Sequence, residues 1–166
     1  SDLRIVDNVG DASSWGGGIH FYESSSDVTD TLIDNNIAEY LGGGIYVDES
    51  TIVLTRVVVT NNQQTESNGT GTNGFSGGGG IYASMSDLYM YDVELSENYA
   101  IEKGGGIIFG FTGGTWDGLI VSNNTADEDG GGIYQHNGSD YLTIRNTEIS
   151  GNYAGDDGGG IVVSTS

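Results

Sequence analysis

A short phrase, three glycines followed by an isoleucine, recurs six times in this chain of 166 residues and constrains its folding more than any other feature. It reads Gly16-Gly17-Gly18-Ile19-His20, Gly42-Gly43-Gly44-Ile45-Tyr46, Gly78-Gly79-Gly80-Ile81-Tyr82, Gly104-Gly105-Gly106-Ile107-Ile108, Gly130-Gly131-Gly132-Ile133-Tyr134 and Gly158-Gly159-Gly160-Ile161-Val162. The isoleucines stand 26, 36, 26, 26 and 28 residues apart. A near-constant step of this size marks a stacked repeat, in which each unit buries its apolar face only against its neighbours. Composition agrees. Hydrophobic residues are 36% of the chain and glycines number 30, which is too little apolar volume for a wide core. It suffices for a column one or two side chains across.

Aligned on the isoleucine, a second column stands nine residues upstream: Asn36, Asn98, Asn124 and Asn152. Asn62 joins it once an insertion of ten residues, within Gln63 to Gly77, is set aside. Three residues before each asparagine comes an aliphatic, and two earlier again a residue such as Leu3, Val57 or Leu119. This alternation marks a strand with one buried face. A short strand precedes it (Ile52 and Leu54, Leu88 and Met90, Leu142 and Ile144), and the glycine phrase opens another. No segment holds a 3.6-residue apolar period.

These columns predict an all-β chain: a right-handed parallel β-helix, or solenoid, of about six coils with three short strands per coil. Residues 1–166 form one domain, with an irregular loop insertion at about 63–77. Parallel crossovers are overwhelmingly right-handed. Coils about 4.8 Å apart make a stack of roughly 29 Å. Asn36, Asn62, Asn98, Asn124 and Asn152 should form an internal amide ladder that satisfies backbone groups freed at a turn.

The pattern resembles the "FxxN" and "GGA(I/L)" repeats of polymorphic outer membrane proteins and related secreted adhesins, and the wider pectate-lyase-like β-helix repeats. Ile33-Asp34-Asn35-Asn36, Leu95-Ser96-Glu97-Asn98 and Ile149-Ser150-Gly151-Asn152 carry the first motif, with an aliphatic where that family prefers Phe. The resemblance covers nearly the whole chain and implies export and surface display, an extracellular place.

Charge excludes several functions. With 24 acidic and 4 basic residues the net charge is −20. Arg4, Arg56, Lys103 and Arg145 make no basic stripe, so nucleic acid is not a partner. No apolar run is long enough to insert in a membrane. Without cysteine there is neither a disulfide framework nor a thiolate metal site. Acidic turns ahead of the glycines nominate Asp127, Glu128, Asp129, Asp156 and Asp157 as Ca²⁺ ligands, since stacked carboxylates repel unless neutralised. The alternative is a solvated acidic turn, and no cofactor is required. Tyr46, Tyr82 and Tyr134 form an expected surface aromatic stripe for glycan or protein. Asn68, Asn123 and Asn137 are glycosylation acceptors by motif. His20 and His136 fall in different columns and make no pair, so both read as surface histidines. Carboxylate pairs raise glycoside hydrolysis, or a polysaccharide lyase, as a remote alternative. The acidic turns lack long loops to wall a cleft, so no catalytic residue is assigned and the chain reads as a non-enzyme.

The chain begins inside a strand and stops just after one, with no evident cap. Open strand edges invite pairing. A head-to-tail contact that does not close builds a fibre. The expected function is therefore structural, a filament or matrix subunit self-associating head to tail. The alternative is a stalk or passenger fragment of a surface adhesin, with a glycan or cell-surface partner.

Overall fold

The computed structural model describes residues 3–11, 13–66, 76–138 and 141–164. Every named strand is parallel to its neighbours, in two six-stranded and two five-stranded sheets. One coil shows the plan: Ile45–Asp48, Thr51–Thr55, Val58–Thr60 and Gln63–Gln64. Each full coil thus has four strands where three were expected. The fourth has only two residues, too few for alternation to show in sequence. Five full turns and part of a sixth are present.

The glycine-led sheet pairs Ile19, Ile45, Ile81, Ile107, Ile133 and Ile161 in strict register. All but Ile161 of the last, open coil put their side chains into one internal column with residues such as Val47, Leu54, Val59, Met90, Leu95 and Trp116. The long insertion starts later than the sequence suggests. Gln63 and Gln64 still pair with Ile37 and Ala38, and the N–H groups of Thr65 and Glu66 donate to Ala38 and Glu39. Gly77 bridges Leu41 and Lys103 again on the far side.

Corners explain the turn residues. Each corner places one residue per coil in the left-handed region. One corner uses Asp7, Asn35, Asn61, Glu97, Asn123 and Gly151; the next column runs Glu23, Glu49, Met85, Phe111 and Asn137. Asn and Asp tolerate this conformation, whereas bulky residues are unusual there. The glycine corner is stricter. Gly42 has φ +61°, and a Cβ there would fall 2.2 Å from the Ile45 carbonyl oxygen. Gly43 lacks positive φ but would drive a Cβ to 2.4 Å from the Gly79 carbonyl of the next coil. The phrase therefore combines one left-handed turn with close approach of stacked backbones.

The asparagine ladder is continuous. The Nδ2 of Asn36 donates to Asn62 Oδ1 at 2.9 Å, Asn62 to Asn98 at 3.0 Å, Asn98 to Asn124 at 3.0 Å and Asn124 to Asn152 at 2.9 Å. Each amide also donates to the backbone carbonyl of an earlier aliphatic, as Asn98 does to Val59 at 2.9 Å. Asn8 adds a rung at the start, giving Nδ2 to Asn36 at 2.7 Å.

The tyrosine stripe is not on the surface. Tyr46 and Tyr82 are 0% exposed and Tyr134 5%. They form a second apolar layer with Leu41 and Ile108, outside the glycine-led sheet. The reason is the preceding corner, whose column of Trp15, Leu41, Gly77 and Lys103 is itself bridged coil to coil. Trp15 stacks on Tyr46 at 5.3 Å, Tyr46 on Tyr82 at 5.4 Å, and Lys103 Nζ lies 5.1 Å from the Tyr134 ring centre.

Candidate functional site

The acidic turns do not converge. Lys103 reaches across one coil and pairs with Glu128, at 3.2 Å, and with Asp129. Burial pushes the Asp129 carboxyl up, but hydrogen bonds from Lys103 and the Asp157 backbone outweigh it and hold the group below the usual range. Asp127 points elsewhere. Its Oδ2 accepts from the Tyr99 hydroxyl at 2.6 Å, and that bond, with burial, pushes the phenol up to about 12. Asp156 and Asp157 sit exposed on the following coil, their N–H groups bonded to Glu128 and Asp129. Among the described residues no three His, Asp or Glu side chains are arranged to hold a metal ion. The five nominated Ca²⁺ ligands are therefore dispersed over separate contacts.

Asn123 is exposed at a left-handed corner with φ 55°, open to modification. Asn137 is partly buried beside His136, 3.4 Å from Nδ2 to Nδ1. Asn68 lies outside the described residues. His20 is exposed against Tyr46, as read from the sequence. His136 is not: it is 0% exposed, its ring fills the space beside Gly110, and burial pulls its pKa down to about 4. Ser84 and Asp48 occupy the same strand position in earlier coils. Asp48 is 4% exposed, and burial raises its carboxyl although Tyr46 donates to it at 3.1 Å.

A corner groove of about 590 Å³ lies where the sequence columns did not nominate a site. It follows the left-handed column from Glu49 through Met85 to Phe111, crossing three coils. Met85 is 41% and Phe111 50% exposed. Tyr141 closes one side. Its ring lies over Gly113, where a Cβ would come within 2.0 Å, and its hydroxyl donates to Asp87 Oδ1 at 2.7 Å. The signal that could have found this site is four residues after each isoleucine: Glu23, Glu49, Met85, Phe111, Asn137. Two large apolar residues interrupt a polar column there.

Four parallel sheets wound by one repeating corner pattern agree with the family described as a right-handed β-helix region, which matches residues 12–166. The chain belongs to the right-handed β-helix family. Neither a curated protein nor a solved structure matches it. For this β-helix, family membership fixes the coil and leaves the chemistry to the particular side chains.

Proposed function

We propose that this β-helix is a non-enzymatic structural element of an extracellular rod or matrix, lengthened by further coils added head to tail. The polarity of the asparagine ladder carries the reading. Every rung donates forward, so Asn8 presents an acceptor Oδ1 at one end and Asn152 its backbone N–H at the other, each without a partner among the described residues. A coil brought to either end therefore fits in one orientation only. The outermost strands Leu3–Val6 and Ile161–Ser164 have open edges among the described residues. They expose core-type side chains, with Leu3 50%, Ile161 49% and Val163 64% accessible. Such edges are templates for another strand, and the contact is heterologous and non-closing. The extracellular place rests on the resemblance of the repeats to secreted adhesins.

Electron microscopy and sedimentation of the purified chain test this. Rods with an axial repeat of roughly 29 Å support it, as does their loss in Val163→Lys. A monomer that persists at high concentration overturns it. A second reading, a binding segment of a surface adhesin, is favoured by the exposed Met85, Phe111 and Tyr141 of the corner groove.

A further inference from the structure

We propose that the corner groove binds an alkylated ammonium group, held by Phe111 and Tyr141 and neutralised by Glu49 and Asp87. The site stands on three separate features. First, Met85 and Phe111 occupy left-handed corner positions, with φ 45° and 50°. Neighbouring residues of that column are Glu23, Glu49 and Asn137. A bulky side chain costs stability in this conformation, and an exposed apolar one gains nothing from the core. Second, the pose of Tyr141 is fixed. Gly113 leaves the slot for its ring, and Asp87 Oδ1 accepts a hydrogen bond from its hydroxyl at 2.7 Å across two coils. An aromatic wall is thereby built before any ligand arrives. Third, the charges in the groove are of one sign. Glu49 and Asp87 line it, and among the described residues no Lys, Arg or His does. Of the chain's few cations, Arg56, Lys103 and Arg145 pair with Asp30, Glu128 and Asp129, and Asp117, away from this corner.

Two aromatic rings, a thioether and two carboxylates in one groove suit a soft cation. An alkylated ammonium is drawn to the negative face of an aromatic ring, and its methyl groups fill apolar space that a hydrated metal ion would not. The field of a net charge of −20 raises the local concentration of any cation. A simple apolar guest would gain from the rings but leave the carboxylates to be desolvated without compensation.

Backbone amide NMR of the intact chain reads the site directly, with choline as the probe and 3,3-dimethylbutan-1-ol as its uncharged isostere. Choline should give saturable shifts confined to the neighbourhood of Met85, Phe111 and Tyr141. The isostere should bind roughly tenfold more weakly, the scale of a cation–π contact reinforced by carboxylates. Phe111→Asn supplies the control, since Asn is at home in the left-handed region and keeps the corner folded. It should hold or raise the melting temperature while weakening choline by a similar factor. A neutral peptide bearing one trimethyllysine distinguishes the source. Saturation by choline assigns a free cation, saturation by the peptide alone a partner's side chain, and both support the ammonium site. Equal affinity for the isostere, unchanged binding in Phe111→Asn, or no saturable shift with either cation overturns it. Head-to-tail assembly is read by a different measurement and stands or falls separately.

Discussion

Asn98 Oδ1 accepts two hydrogen bonds from Asn62, one from the side-chain Nδ2 at 3.0 Å and one from the backbone N–H at 3.0 Å. One carbonyl thus ties both the side chain and the main chain of the coil before. The Asn98 amide then donates backward to Val59 and forward to Asn124. Because Asn62, Asn98 and Asn124 are almost wholly buried, no water replaces a lost rung.

Asn98→Ala should therefore be severe. It strands the N–H of Asn62 and leaves the Asn62 Nδ2 one acceptor short, two buried donors each worth about 1–3 kcal/mol, so the loss should be about 3 kcal/mol or more. Asn152→Ala also takes the acceptor from the Asn124 N–H and Nδ2, but at the partly buried last rung, where solvent reaches the gap, and should cost less, about 1–2 kcal/mol. Urea unfolding of the two variants checks the difference. Equal losses would show that the ladder is not cooperative along the stack.

Glycine substitutions should separate the two demands of the repeat. In Gly79→Ala the new methyl meets the Tyr99 carbonyl oxygen at 2.3 Å and the Gly105 oxygen at 2.6 Å, both backbone and unable to yield. The coils must part, and a loss of roughly 2–4 kcal/mol is expected, the range of strain in a packed interior. Gly138→Ala meets nothing within 4 Å. It should melt within a degree or two of the parent, on the scale of a neutral surface change.

Much of this architecture is legible in the sequence. The asparagine column and the aliphatic three residues earlier predicted the ladder, because both the amide and its partner must return at every coil. The fourth sheet was hidden, since Ile37–Ala38 or Tyr99–Ala100 is too short to alternate. The tyrosines misled for a different reason. Alternation showed that Tyr46 points away from Ile45, but not that the corner column of Trp15, Leu41 and Lys103 packs against that outer face. The groove needs Tyr141 to lie along the stack over Gly113, a direction that no column of letters records. In the acidic turn, Lys103 gathers Glu128 and Asp129 while Tyr99 engages Asp127, pairings between coils that the run of acidic letters does not record.

Calcium should consequently add little. Asp127 is engaged by Tyr99, and Glu128 and Asp129 by Lys103. Millimolar Ca²⁺ is expected to shift the melting temperature no more than Mg²⁺ at equal ionic strength, with a chelator without effect. Lys103→Met removes the counter-charge and should cost about 1 kcal/mol at low salt, less as salt screens the remaining repulsion. A large stabilisation of the parent protein by Ca²⁺ alone would contradict this assignment.

Tyr99 provides a local reporter of the same turn. Its phenol, pushed up to about 12 by Asp127, should be among the last to ionise in an ultraviolet alkaline titration. Asp127→Asn removes the charged acceptor and should bring the transition down toward the ordinary tyrosine value of about 10. An unchanged profile would mean that the hydrogen bond does not persist in solution.

His136 should make the β-helix acid-sensitive well above the carboxylate range. Its folded pKa of about 4 lies below the ordinary histidine value of 6.5, because burial disfavours the charged ring. Between those values the unfolded chain binds the proton more readily than the folded one, so stability falls as pH drops from 6.5 toward 4. The loss should be on the order of 2 kcal/mol, less than the full shift implies once solvent screening is allowed. Asp48 opposes it. Its raised carboxyl takes up a proton more readily in the folded state, so acidification through its range returns some stability. Asp129 acts the other way, losing its Lys103 contact as pH falls through its depressed range. His136→Leu removes only the first effect. Melting curves from pH 7 to 4.5 should slope steeply for the parent and weakly for the variant. Parallel slopes would place the sensitive group elsewhere.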